Sequence, residues 1–194
     1  MGNIASVANM IKKVGGSCEI SDNPDTVRKA KCLIIPGVGS FDHGISELHR
    51  RGLFTAIQDA AQNDISILGI CLGMQLLGNN SEEGKLKGLS LIDADFVKFN
   101  FEGKSQLRIP HVGWNNVTTL LDNPLIPFDN DEKRFYFTHS YHAICNKQSE
   151  CLLTTNYGYS FTSAFSSGRI FGVQFHPEKS HRFGMELIRR FIAL

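Results

Sequence analysis

The stretch ILGICLGMQLL, residues 67–77, places one cysteine between two glycines directly after an apolar run. The run before Cys71 reads as a short buried strand, and the leucines after it recur at helical spacing. Cys71 therefore lies at a turn from strand to helix, flanked by Gly69 and Gly73 as G-x-C-x-G. This is the nucleophile-elbow pattern with cysteine in place of serine, and a helix N-terminus at the sulfur favours the thiolate. Taken alone, the motif also fits a small buried core cysteine.

Composition narrows the classes of function. The 194 residues carry a formal net charge of +1, which gives no electrostatic reason to expect binding to nucleic acid or to an anionic membrane. No apolar run approaches the roughly 20 residues that cross a bilayer. The five cysteines form no C-x-x-C pair, which argues against a disulfide framework and a zinc site and favours a reducing cytoplasm. We expect one domain over residues 1–194, without a metal.

The order of the elements indicates an α/β fold. Through about residue 88, apolar strands alternate with helices, which implies a mainly parallel sheet covered on both faces. Beyond that point, short strands separated by turns replace the helices. One face of a first helix is marked by Val7, Met10, Ile11 and Val14, and Gly15-Gly16 ends that helix. We further expect a strand at residues 17–21, a short helix with Asn23 as N-cap and Pro24 at its start, helix over 41–62 interrupted near Gly52, and a closing helix over 183–192.

Two further segments could complete a cysteine site. A thiolate needs a general base, and the base needs an orienting group. In GVQFHPEKS, residues 172–180, His176 follows a strand and Glu178 lies two residues on, where it can accept from one ring nitrogen. The loop PGVGS, residues 36–40, follows another strand, and its glycines let backbone N–H groups approach an oxyanion. Parallel strands bring such segments to one sheet edge, although each alone also fits a structural role.

Together these motifs resemble the class I (triad) glutamine amidotransferases in order and spacing, over essentially the whole chain. PHVGWN, together with SEEG at residues 81–84, is similar to the glutaminase subunits of imidazole glycerol phosphate synthase, the HisH group. The motifs that carry the resemblance are PGVG (36–39), GICLGMQ (69–75), PHVGWN (110–115), FYFTHSY (135–141) and GVQFHPEKS (172–180).

The resemblance implies a three-layer, flavodoxin-like, mostly parallel sheet with additional antiparallel strands in the C-terminal half. It also implies that Cys71 attacks the side-chain amide of L-glutamine, that His176 relays the proton to ammonia, and that Glu178 holds His176. The remaining residues it implies are Gly37, Val38, Gly39 and Leu72 for the oxyanion, Gln75, Glu83, His139, Ser140 and Tyr141 for the substrate, and His111, Trp114 and Lys179 for a partner interface.

The partner implied by the resemblance is a HisF-like cyclase, a β/α-barrel subunit bound as a heterodimer, which receives the ammonia directly. No cofactor is implied. Histidine biosynthesis is the expected pathway, and a HisH-like paralogue that supplies ammonia to amidate a surface-polysaccharide sugar is the alternative. A different cysteine hydrolase and an inactive interaction module are the other classes. The SEEG and PHVGWN motifs argue against the first, and the intact Cys71, His176 and Glu178 argue against the second.

One departure from the family concerns the N-terminus. Family members open with a strand and an Asp-Tyr-Gly turn, whereas this sequence begins within that turn, at Met1-Gly2-Asn3. We therefore expect the N-terminal strand of the family to be missing from this sequence. Loss of a buried strand would expose the backbone groups of its neighbours.

Overall fold

Helices cover both faces of one mixed sheet in the computed structural model of the chain, which describes residues 4–101, 107–128 and 132–194. The helices are α1 (Ile4–Lys13), α2 (Pro24–Arg28), α3 (Phe41–Arg50), α4 (Leu53–Gln62), α5 (Leu72–Leu77) and α6 (His181–Phe191). The strands are β1 (Cys32–Gly37), β2 (Ser66–Cys71), β3 (Asn80–Ser81), β4 (Ala94–Lys98), β5 (His111–Thr119), β6 (Lys133–His139), β7 (Tyr141–Cys145), β8 (Cys151–Tyr157), β9 (Tyr159–Ser167) and β10 (Ile170–Val173).

The parallel part of the sheet is formed by β1, β2 and β10. Strand β2 lies between the other two, and its register sets Gly37 opposite Cys71 and Val173 opposite Ile70. All three strands therefore end at the same edge. The carboxyl edge of parallel strands is where doubly wound sheets bind their ligands, so the register itself assembles the candidate site.

The C-terminal half continues the sheet with antiparallel strands. From β10 the order runs through β9, β7 and β4 to the short β3, which pairs parallel with β4. Strand β5 leaves this path as a long ribbon that pairs with β6 through residues 111–117 and with β8 at residues 118–119. The α/β fold is thus confirmed, with the additional antiparallel strands where the sequence predicted them.

Two hydrophobic clusters enclose the sheet from opposite faces. Strand β2 joins them, because Leu68 and Ile70 belong to one cluster and Ile67 to the other. Helices α1 and α6 cover the first face, and α3, α4 and α5 cover the second. A strand buried on both faces is a near-continuous apolar run, which is how residues 65–70 read in the sequence.

Local signals fixed several helix boundaries. The side-chain oxygen of Asn23 accepts from the backbone N–H of Asp25 at 2.8 Å and caps α2 as predicted. The helical segment 41–62 breaks at Gly52, whose φ is +69°, a conformation that glycine adopts without strain. No helix among the described residues combines the length and apolar character needed to cross a bilayer.

The predicted strand at residues 17–21 is wrong. This segment is not paired, and Ile20 is 63% exposed. Among the described residues β1 pairs only with β2, so segment 17–21 has no strand beside it to supply hydrogen bonds. The expectation about the start of the sequence concerns Met1–Asn3, which lie outside the described residues.

Candidate active site

The elbow at Cys71 is a sharp turn in which only glycine fits on either side. Cys71 has φ 55° and ψ −111°, an unusual conformation for a residue with a side chain. A Cβ on Gly73 would lie 1.7 Å from the carbonyl oxygen of Ile35, and one on Gly69 would lie 2.6 Å from the carbonyl oxygen of Gly73. The two glycines of G-x-C-x-G therefore allow α5 to pack directly on β1 and β2.

The PGVG loop lies beside this elbow. A Cβ on Gly37 would come within 2.9 Å of the Cβ of Leu72, which shows how closely the loop approaches the first turn of α5. Gly39 has φ +107°, and Val38 between the two glycines is 44% exposed. The loop therefore lies directly against the elbow, and its residues Val38 and Gly39 line the same cavity as Cys71 and Leu72.

His176 and Glu178 form a buried pair. The Nδ1 of His176 lies 2.8 Å from Oε1 of Glu178, and the two side chains are only 4% and 3% exposed. The Nε2 of His176 makes no hydrogen bond to any described residue. The thiol of Cys71 instead donates to the carbonyl oxygen of Thr138 at 3.9 Å. The second ring nitrogen is thus a buried polar atom without a hydrogen-bond partner among the described residues.

The pair keeps His176 protonated at neutral pH. Burial lowers the pKa of His176, but the interactions with Cys71 and Glu178 outweigh burial and raise that pKa to about 9. An imidazolium next to a cysteine is the arrangement that supports a thiolate nucleophile.

A cavity of about 360 Å³ joins these groups. It is lined by Cys71 and His176, by Val38 and Gly39 of the PGVG loop, and by the turn between β6 and β7. The predicted residues that line it are Val38, Gly39, Cys71, Leu72, Gln75, Glu83, His139, Ser140, Tyr141 and His176, and the lining residues that the sequence did not indicate are Pro110 and Thr138.

A pair of neutral histidines supports the β6–β7 turn. The Nδ1 of His139 donates to the carbonyl oxygen of Tyr141 at 2.7 Å, so its Nε2 accepts from Nδ1 of His111 at 3.0 Å. Burial lowers the pKa of His111 to about 4 and that of His139 to about 3. Both rings therefore stay neutral, and the hydrogen bonds fix which nitrogen carries the proton.

This pairing corrects the expectation for His111. The residue is only 2% exposed and stacks on Tyr157, so its side chain does not reach the surface. Trp114 is 42% exposed and stacks on His181, and Lys179 is also exposed. Alternation along β5 explains the difference, because His111 and Trp114 lie an odd number of residues apart and face opposite sides.

Comparison of the sequence with protein-family models identifies the family of the chain. The family model for glutamine amidotransferase class-I matches residues 1–194. The chain belongs to the class I glutamine amidotransferases. Two relatives of this amidotransferase are named imidazole glycerol phosphate synthase subunit HisH 2. The one from Methanococcus maripaludis is 49% identical over 99% of this chain and 95% of its own. The one from Pseudomonas aeruginosa is 44% identical over 100% of this chain and 96% of its own.

Solved structures agree on the fold. A crystal structure of a glutamine amidotransferase has a TM-score of 0.71 at 16% identity, covering 96% of this amidotransferase and 94% of that chain. PurLQS from Thermotoga maritima has a TM-score of 0.69 at 16% identity, covering 97% and 91%. Among the described residues of the amidotransferase, no cluster of three metal-ligating side chains is found.

Sequence reasoning missed several polar residues of the site. Gln174 lies against Cys71, Asn115 hydrogen-bonds His111, and the hydroxyl of Ser180 donates to the carbonyl oxygen of His176 at 2.6 Å. A polar residue within an otherwise apolar strand is one signal, but Asn115 and Ser180 lie among other polar residues and lack it. That signal is clearest for Gln174, which interrupts IFGVQF yet is fully buried.

Proposed function

We propose that this amidotransferase is the glutaminase subunit of an imidazole glycerol phosphate synthase. It hydrolyses L-glutamine to glutamate and passes the ammonia to a HisF-like cyclase in histidine biosynthesis. The observation that carries the proposal is the cavity in which Cys71, His176 and the PGVG loop meet, in a chain whose full-length relatives bear the HisH name.

The proposed chemistry starts with the thiolate of Cys71, which attacks the side-chain amide carbon of glutamine. The oxyanion accepts hydrogen bonds from the N–H of Leu72 and from N–H groups of the 37–39 loop. The imidazolium of His176 gives its Nε2 proton to the leaving nitrogen, and ammonia departs from a thioester. Neutral His176 then takes a proton from water, whose attack releases glutamate and restores the thiolate and the imidazolium.

The substrate would lie along the same cavity. Glu83 supplies a carboxylate for the α-ammonium group, and Gln75 covers the first turn of α5 beside it. The backbone of His139, Ser140 and Tyr141 supplies hydrogen bonds for the α-carboxylate. Support for these roles comes from the shared lining of the cavity and from the Tyr141 carbonyl, which His139 holds at 2.7 Å.

The proposed heterodimer uses the surface around Trp114 and Lys179. The ring of Trp114 stacks on His181 and lies 5.7 Å from the guanidinium of Arg134, so it is held in place while remaining 42% exposed. Lys179 lies over the ring of Tyr136. An exposed, rigidly held tryptophan flanked by cations is typical of protein interfaces.

The proposal takes residues 1–194 as one domain, which the two hydrophobic clusters joined through β2 support. It also assigns the enzyme to the cytoplasm, which is supported by the absence of a disulfide among its five cysteines.

The test is glutamate production by the purified chain alone, with the HisF-like cyclase of the same organism, and with the cyclase plus its substrate. We expect little turnover by the chain alone and the highest turnover in the third mixture, because the exposed PGVG loop has the freedom to turn a donor away until a partner holds it. Cys71→Ala is the matched control and should retain less than about a hundredth of the activity. Equal turnover in all three mixtures would contradict the proposal. Co-purification with a sugar-amidating synthase instead of a cyclase would favour the alternative pathway.

A further inference from the structure

A buried amide lies against the sulfur of Cys71. Gln174 comes directly after β10, two residues before His176, and its side chain is fully buried. Its Nε2 lies 3.7 Å from Sγ of Cys71, and its Oε1 accepts from Nε2 of Gln75 at 3.3 Å. A buried amide is unfavourable unless its groups are hydrogen-bonded, and in this site one of those partners is the nucleophile itself.

The network fixes which end of the amide faces the sulfur. Because Gln75 donates to Oε1, Gln174 presents its N–H to Sγ. If both amides were turned over, Gln174 would present its carbonyl oxygen, and that oxygen would favour the protonated thiol. The N–H arrangement favours the thiolate of Cys71 and the carbonyl arrangement favours its thiol, so one pH titration of Cys71 distinguishes them.

We propose that Gln174 is a catalytic residue whose side-chain N–H donates to the Cys71 thiolate before glutamine binds. The inference rests on the proposed glutaminase function and adds a donor to the triad. Cys71 is only 7% exposed, so a charge on its sulfur has little access to water, and the carbonyl oxygen of Thr138 beside the sulfur disfavours that charge. The N–H of Gln174 compensates for that carbonyl, since charge-assisted hydrogen bonds are the strong ones.

Several other groups around Cys71 also influence its titration. His176, held by Glu178, supplies positive charge, and Glu83 lies across the cavity. His139 on β6 is neutral, because burial lowers its pKa to about 3. None of these groups is altered by replacing Gln174, so the comparison of variants isolates the amide.

The experiment is the pH dependence of Cys71 alkylation by iodoacetamide in the full chain. It is followed by peptide mass spectrometry, because the exposed Cys18 reacts as well and its signal must be separated from that of the buried Cys71. Gln174→Met keeps the length and removes the donor. We expect its alkylation profile to move to higher pH by about one unit, with alkylation about tenfold slower on the acid limb. An unchanged profile, or one moved to lower pH, would overturn the proposal.

Two further variants serve as a second test of Gln174 and as a control. Gln174→Glu is isosteric and should shift the profile in the same direction, which keeps the proposal testable if the methionine variant does not fold. Ser163→Ala, at another fully buried polar residue of the neighbouring strand β9, should leave the profile unchanged. A shift as large in Ser163→Ala as in the Gln174 variants would also overturn the proposal. A shifted Gln174 profile in a chain that does not hydrolyse glutamine would reject the function and retain the donor.

Discussion

At the scale of single residues, the site depends on a proton that burial alone would remove. His176 is almost fully buried, yet its pKa rises to about 9 because the interactions with Cys71 and Glu178 outweigh burial. The imidazolium therefore persists through neutral pH and is lost as pH rises through about 9. Since the proposed chemistry needs that proton for the departing ammonia, activity should decline over the same interval.

Glu178→Gln should move this alkaline limb to lower pH. The amide keeps the size of the carboxylate but loses its charge. The interaction that raises the pKa of His176 is then weaker, and burial lowers that pKa further. We also expect a smaller loss of activity than in His176→Ala, because Glu178 orients the imidazole while His176 carries the proton. The measurement is kcat/KM for glutamine against pH in the assembled complex. A limb that stays in place would show that Glu178 does not set the charge of His176.

Residue-level prediction succeeded where chemistry and local geometry occur in one short motif. G-x-C-x-G indicated the elbow, because the glycine requirement arises within a few residues of Cys71. Gln174 was missed because its partner lies 103 residues earlier in the chain, and only the parallel register of β2 and β10 brings the two together. His111 was misplaced because the sequence does not show which face of β5 is buried.

At the scale of elements, two carboxylates fasten the loop after β3 to the start of α3. Oε2 of Glu83 accepts from the backbone N–H of Phe41 at 2.8 Å, directly after the PGVG loop. In return, Asp42 accepts from the N–H groups of Leu86 and Lys85 at 3.0 and 2.9 Å, and these bonds lower its pKa. A Cβ on Gly84 would lie 2.0 Å from the Asp42 carboxylate, so glycine makes this clasp possible.

Asp42→Ala should lower kcat for glutamine roughly tenfold with little change in KM. Asp42 does not line the cavity, so its loss would act through the position of the PGVG loop. Glu47→Ala is the matched control, because Glu47 lies on the same helix and pairs with Arg50 and the half-buried Arg51, away from the cavity. We expect this variant to leave both constants unchanged. A change in KM with kcat unaltered would instead place the clasp in substrate binding.

Gly73→Ala should destabilise the fold by about 3 kcal/mol or more. The new methyl would collide with the carbonyl oxygen of Ile35, which belongs to the backbone of β1 and has little freedom to move. Gly44→Ala is the control, since its nearest neighbours are the terminal methyls of Leu76 at 3.0 and 3.2 Å. Calorimetry of both variants gives the comparison, and equal melting temperatures would refute the close approach of α5 to β1.

Element-level prediction failed most clearly where a segment depends on a neighbour, and it placed the start of the closing helix two residues late, at 183 instead of His181. Caps and breaks are local, so Asn23 and Gly52 gave correct boundaries. Segment 17–21 has the composition of a strand, but a strand exists only when another strand satisfies its backbone groups. The order of strands in the C-terminal half was likewise not predictable, because many pairings satisfy the same alternation.

At the scale of the whole molecule, the exposed aromatic surface lies on the same ribbon as the site. Trp114 pairs with Tyr136 across β5 and β6, and Lys179 lies over the Tyr136 ring. These three side chains form a compact surface close to the turn that lines the cavity.

Trp114→Ala should weaken binding to the cyclase about 30-fold or more, as expected for a central aromatic at an interface. Its fold should persist, because the ring is already 42% exposed. Titration calorimetry with the cyclase gives the affinity. Ile20→Ala, at a 63% exposed apolar residue between α1 and α2, is the control. An unchanged affinity in Trp114→Ala, or an equal loss in both variants, would remove this surface from the proposed interface.

The ladder between β5 and β6 has a thermodynamic consequence. It sets Trp114 opposite Tyr136 and, three residues along, His111 opposite His139, whose ring holds the turn at Tyr141. One ribbon thus connects the proposed docking surface to the turn that lines the cavity. Thermodynamic linkage then requires reciprocity. If a bound cyclase raises the affinity for glutamine by some factor, bound glutamine must raise the affinity for the cyclase by the same factor. If the proposed cyclase partner strengthens glutamine binding, then a shortage of glutamine would lower the fraction of assembled enzyme.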